Sequence, residues 1–232
     1  MRPPPDAPPD ADRGAPSELI RFDAGERTVH WTTAALTLVS FATAAALFIG
    51  PVAAAVGRRD DVRWVHVTAG LLLPVPFAVG LLLAFTRGGL LRSDLRRLDR
   101  WSEAERRWLR MEPDAGVRLD KFNPGQKLNA AFTAGAILLL LASGAVMHWF
   151  GHFPLAWRAG ASVVHDLTAA ALTVTLAGHV LMALTHPASL RSMLGGRVSE
   201  AWARREAPRW LDEERGPGGG TVTPDALRRG RP

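Results

Sequence analysis

GASVVHDLTAAALTVTLAGHVLMALTHP, residues 160–187, is 28 residues of nearly unbroken apolar sequence holding one acid, Asp166, and three histidines, His165, His179 and His186. As a helix it would extend about 42 Å at about 1.5 Å per residue, enough to cross the roughly 30 Å hydrocarbon core of a bilayer. In lipid every backbone polar group must be satisfied within the segment, so the stretch reads as a membrane helix. His165 and His179 stand 14 residues apart, about 21 Å of rise and close to four whole turns. Both therefore lie on one face, at two depths. Ionisable residues in a membrane span are costly and point to function.

Three further apolar stretches are long enough to span, at about 30–56, 64–86 and 127–150, and with about 160–187 they predict an all-α, four-helix membrane bundle. Pro74 and Pro76 fall inside the second and predict a kink. The 232 residues contain no cysteine, which excludes disulfides, iron–sulfur clusters, thiolate-held zinc and covalently attached haem. Any redox cofactor must then hang on the seven histidines. The net charge of +6 does not point to nucleic acid, because the basic residues flank the apolar runs. With four spans, 24 Lys and Arg fall on the side of the termini and 4 on the other, so both termini are expected in the cytoplasm. No short apolar core with a small-residue cleavage site precedes span one, which reads as retained.

Three regions follow: a Pro-rich tail at 1–18 expected to be disordered, a membrane domain at 19–212, and a flexible tail at 213–232. The connection between spans two and three carries Leu95, Leu98, Trp101 and Trp108 among arginines at helical spacing. Ser102 and Glu105 fit a capping box that starts a second short helix there. This connection reads as amphipathic and lying on the inner leaflet, or as a solvated loop.

Depth organises the histidines. Span one runs outward, so His30 is at its inner end; span two returns, so His66 is at its outer end; span four places His165 outside and His179 inside. The four form two matched pairs, His30 with His179 and His66 with His165. Two imidazoles on facing helices at one depth suit six-coordinate haem iron, which has no open position and transfers electrons. Gly70, Ala34, Ala169 and Ala183 sit one turn from the four histidines, leaving room for a flat macrocycle. His148 and His152 at the outer end of span three read as interfacial, His186 before Pro187 as structural, and Asp166 either as a tuner of the outer site or as solvated. The segment Lys121 to Asn129 (KFNPGQKLN) enters the membrane at the depth of His30 and His179. Asn123, Gly125 and Gln126 are its candidate quinone contacts, Gly125 permitting close backbone approach. The competing reading is a helix start bounded by Pro124 and Lys127.

Here the sequence resembles a known family. Glu26-Arg27-Thr28-Val29-His30-Trp31 is similar to the E-R-x-x-H-W opening of the cytochrome b (gamma) subunit of membrane-bound formate dehydrogenase. Lys121 to Lys127 resembles its K-[FY]-N-x-G-Q-K motif, the histidines 14 apart match, and so does Gly196 to Ala203 followed by Pro208-Arg209-Trp210. The resemblance covers about residues 20–212. It implies two b-type haems, the outer on His66 and His165 and the inner on His30 and His179. It implies an iron–sulfur (beta) subunit and a catalytic (alpha) subunit as partners. It also implies menaquinone or ubiquinone as acceptor, with Asn123 and Gly125 lining its pocket in a bacterial inner membrane. The family often has histidine where this chain has Glu206 and Ala207. Competing readings are the same cytochrome serving a hydrogenase or thiosulfate reductase, and a haem-free transporter or anchor. Nothing in the chain can itself oxidise formate.

Overall fold

The computed structural model describes residues 18–112 and 118–216. The tail expected at 1–18 lies outside these residues except for its last position, as do 217–232 of the tail expected after 212. Four helical segments are long and apolar enough to cross a membrane: Ala24–Phe48, Arg59–Arg87, Pro124–His148 and Leu155–Thr185.

The first, α1 (Ala24–Phe48), starts at a capping box: Glu26 N–H donates to Asp23 and Asp23 N–H donates back to the Glu26 carboxylate. The expected span continued to 56, but the helix stops at Phe48 and a separate short helix, α2 (Gly50–Val56), follows. Pro51 is the reason, since it has no N–H to continue the ladder. The Leu47 carbonyl is met instead by the Arg59 guanidinium at 3.3 Å. The second segment is broken as expected, into α3 (Arg59–Leu72) and α4 (Val75–Arg87) around Pro74. Gly80 on α4 lies so close to Val29 that an added Cβ would meet its Cγ2 at 2.3 Å, which lets α4 press against α1.

Helices α5 (Leu91–Asp99) and α6 (Glu103–Leu109) form the connection, and α6 opens on the expected Ser102–Glu105 capping box. Then come α7 (Pro124–His148), a 3-10 turn (Phe150–His152) and α8 (Leu155–Thr185). Helix α8 begins five residues before the expected 160. Arg158 is tolerated inside it because a span end near the interface can hold a cation, whose guanidinium here lies 5.8 Å from the Phe150 ring centre. Pro187 ends α8 and starts α9 (Pro187–Gly195).

A short antiparallel sheet, absent from the sequence expectation, joins the two ends of the described chain. Strand β1 (Glu18–Ile20) pairs with β2 (Arg197–Ser199), Leu19 opposite Val198. Gly196 precedes β2 at φ +83, and a Cβ there would meet the Phe22 carbonyl at 2.6 Å. Only glycine fits that corner. Helices α10 (Glu200–Glu206) and α11 (Pro208–Arg215) then fold back, burying Val198, Ala203, Ala207, Trp210 and Leu211. The tail motif GRVSEAWA is thus a corner, a strand and a capped helix, with Ser199 accepting from Trp202 N–H. Ser199→Ala is expected to destabilise this cap by about 1 kcal/mol, seen as faster amide exchange across residues 197–206.

Within the membrane segments α1 packs along α3 and α4, and α7 along α8. These two pairs approach each other chiefly through α3 and α7.

Candidate functional site

The four expected histidines form two pairs. His30 on α1 and His179 on α8 have ring centres 6.3 Å apart, with planes at 56°. His66 on α3 and His165 on α8 have ring centres also 6.3 Å apart, at 71°. Helix α8 supplies one ring to each pair, because its two histidines fall on one face. A metal ion held between two opposed imidazole nitrogens at about 2 Å from each sets the ring centres about 6 Å apart. Both pairs have that separation, so each could hold one iron with axial imidazoles.

The hydrogen bonds at the outer pair fix the tautomers. His66 Nδ1 lies 3.1 Å from the Ser40 carbonyl, which can only accept, so the ring donates from Nδ1. It also lies 3.0 Å from Thr43 Oγ1, whose own proton is spent 2.7 Å away on the Val39 carbonyl. His165 Nδ1 lies 3.0 Å from Ser143 Oγ, and that hydroxyl donates to the Leu139 carbonyl at 2.7 Å. The shared proton must therefore come from the imidazole. Each outer ring keeps its Nε2 lone pair for a metal, the arrangement by which outer hydrogen bonds orient ligating histidines. Gly144 contributes space, since a Cβ there would already touch His165 Cε1 at 3.4 Å.

Ser40, Thr43 and Ser143 were not among the expected site residues. Their signal was available: they are hydroxyl residues inside apolar spans, and counting depth sets them beside the outer histidines. The other histidines do not join the pairs. His148 and His152 are exposed at the far end, and His186 caps the end of α8 through Nδ1 at 2.9 Å from the Met182 carbonyl. Asp166 is exposed. Among the described residues no group of three or more His, Asp or Glu gathers to hold a metal ion, so the imidazole pairs are the donor sets on offer.

The segment before α7 carries a heavy structural role. Asn123 caps the helix, its Oδ1 accepting from Gln126 N–H at 2.8 Å while Gln126 Oε1 accepts from Asn123 N–H at 3.0 Å. Pro124 fills the first helical position, where no N–H is needed. The two side-chain NH2 groups take no part in this box, and Asn123 and Gly125 are exposed. Lys121 pairs with Asp94, and Lys127 with Glu105 at 2.6 Å, all four buried. The opening motif of α1 is used similarly. Arg27 donates to the Leu194 carbonyl at 3.2 Å and Trp31 Nε1 to the Met193 carbonyl at 3.2 Å, fastening α1 to α9 beside His30.

Known proteins of one family are similar to this chain. The profile of the family described as prokaryotic cytochrome b561 matches residues 21–196. The formate dehydrogenase cytochrome b556 subunit of Haemophilus influenzae is 26% identical over 204 residues, covering 85% of this chain and 84% of that protein. The formate dehydrogenase cytochrome b556(fdo) subunit of Escherichia coli is 28% identical over 209 residues, covering 85% of this chain and 93% of that protein. A nitrate-inducible Escherichia coli formate dehydrogenase cytochrome b556(Fdn) subunit is 28% identical over 96 residues, 40% of this chain and 44% of that one.

Proposed function

The chain belongs to the prokaryotic cytochrome b561 family, and from that premise we propose that it is the membrane cytochrome b subunit of a formate:quinone oxidoreductase. In this reading His66 with His165 and His30 with His179 are the axial ligands of two b-type haems. The chain carries electrons from an iron–sulfur partner subunit across the bilayer to a quinone, and a separate catalytic subunit oxidises formate. The observation that carries it is the pair of 6.3 Å imidazole separations on one shared helix. Haem bound in this way supplies one-electron carriage and no open coordination position.

The protein's own part is to hold the rings. Helix α8 fixes the spacing between the two sites, and at the outer pair the Nδ1 hydrogen bonds present Nε2. Asn123, Gly125 and Gln126 offer amide and backbone donors for quinone oxygens at the end where the inner pair lies. In this reading both termini lie in the cytoplasm of a bacterial inner membrane and the outer pair on the far side, which the excess of basic residues at the inner end supports.

The decisive experiment is a reduced-minus-oxidised spectrum of the detergent-purified protein with haem quantified per chain. Two b-type haems per chain support the assignment. Folded protein that stays colourless when expressed with ample haem overturns it in favour of a transporter or anchor. A finer expectation concerns the outer hydrogen bonds. Ser143→Ala or Thr43→Val is expected to weaken retention of the outer haem about 10- to 100-fold, read by haem transfer to an acceptor protein, with the inner haem unchanged.

A further inference from the structure

One cluster at the inner end is not used by the haem assignment. Glu26 on α1, Asp94 on α5 and Lys121 just before α7 meet with side chains 7%, 5% and 2% exposed. Lys121 Nζ binds Asp94 directly and lies 4.0 Å from Glu26 Oε2. The two carboxyl groups face one ammonium and lie close enough to share a hydrogen bond. Two carboxylates in contact cannot both be ionised at low cost, and a hydrogen bond between them requires one proton. The neighbouring Lys127–Glu105 pair makes the contrast. It is buried at the same end, yet one cation there meets one anion and no further proton is needed.

The groups facing the cluster leave that proton in place. Arg21 is buried beside it but spends its guanidinium on Ser189, Ser192 and the Lys121 carbonyl, and stacks over Trp202 at 4.5 Å. Its Nε has no partner among the described residues. Burial pulls the Arg21 guanidinium down to about 10, with Asp94 acting in the other direction. Asp23 contributes a backbone N–H to Glu26. Asp120 accepts from Lys121 N–H and from Arg97, which also binds the half-exposed Glu213 at 2.7 Å. Glu213, Arg97 and Asp120 thus form a polar chain from the surface to the Lys121 backbone N–H.

The position of the cluster suggests its use. Glu26 lies one turn from His30 on the same helix, and Lys121 two residues from Asn123. We propose that Glu26, hydrogen-bonded to Asp94 and set beside Lys121, is the proton donor to the quinone reduced at this end. The inference rests on the quinone reading above. Converting a quinone to a quinol takes two electrons, which the partner dehydrogenase supplies, and two protons. In each proton step the Glu26 O–H bond breaks and a quinone O–H bond forms. Glu26 becomes a carboxylate held by Lys121, then reloads from water on the cytoplasmic side. Two cycles complete one quinol.

The test uses the full chain, with haems reduced and then mixed with menadione, and follows reoxidation by stopped flow. Wild-type reoxidation is expected to slow in D2O and to fall as pH rises. Glu26→Gln is expected to be about a hundredfold slower with haem content retained, and partly rescued by small weak acids. Asp94→Asn is expected to slow it too, because Lys121 then pairs with Glu26 and holds it ionised. Independently of turnover, the infrared band of a protonated carboxyl should be present in the wild type and absent in Glu26→Gln. Reoxidation of Glu26→Gln at the wild-type rate, or persistence of that band, overturns the proposal. If Glu26→Gln fails to fold, a flat wild-type pH profile without an isotope effect overturns it equally. Wild-type haems that menadione does not oxidise would remove the quinone reading and this inference with it. Absence of haem would remove the cytochrome reading itself.

Discussion

Replacing His179 with alanine is expected to yield a protein with one haem in place of two and no quinone reduction. Helix α8 gives one imidazole to each pair, so the substitution leaves His30 facing an empty position while His66 and His165 are untouched about four turns away. A single imidazole holds haem far less firmly than two, and five-coordinate iron has a different spectrum. The mirrored change, His165→Ala, should lose the outer haem and leave the inner one. Haem per chain and a redox titration separate the two variants, each showing one of the two wild-type components. Two haems retained in both would sink the pairing. Alanine also leaves the two helix surfaces intact, so loss of haem with normal helical content would mark a ligand rather than a packing residue.

Lys127→Met is expected to cost about 3–5 kcal/mol, because it strands a buried carboxylate. Lys127 and Glu105 are 2% and 3% exposed, with the ammonium 2.6 Å from the carboxylate, 2.7 Å from the Arg100 carbonyl and 5.3 Å from the Trp101 ring centre. Methionine fills the same space without the charge. The double variant Glu105→Leu/Lys127→Met removes both charges and should recover most of the loss. Thermal unfolding in detergent measures both, and equal stability of wild type and Lys127→Met would refute the argument. The pair also sets a pH dependence. Burial pushes the Glu105 carboxyl up, but hydrogen bonds from Lys127 and Ser102 outweigh it and hold the group below its ordinary 4.5. Its contribution is therefore complete above about pH 4.5 and is lost as the pH falls through the lower folded value. That predicts acid lability of the α6–α7 junction.

How far each feature was legible depended on whether its cause was local. Both proline breaks in the first two spans have a local cause, yet the sequence reading expects only the one at Pro74 and Pro76. The break at Pro51 is hidden because the surrounding residues 49–56 are apolar apart from their backbone, and hydropathy does not register a missing N–H. Arg158 works the opposite way: its charge interrupts the apolar run without interrupting the hydrogen-bond ladder, so α8 begins at Leu155, ahead of the expected 160. The capping box at Ser102 was visible because its two residues are three apart. The motif around Asn123 reads in the sequence as quinone contacts or as a helix start bounded by Pro124 and Lys127; the capping box between Asn123 and Gln126 is set by the fold.

Sequence by itself determined the four spans, the class of the fold, the two depths of the histidines and their sharing of one face of the last helix. These follow from composition and a fixed helical rise, which act along the chain. Tertiary structure alone decided what lies across from what. It brought β1 to β2 across the 179 positions from Leu19 to Val198, Lys121 to Asp94 and Glu26, and Lys127 to Glu105. No periodicity encodes those meetings. They arise because a buried charge or ring nitrogen must find a partner wherever packing brings one within about 3 Å, and packing is a property of the whole chain.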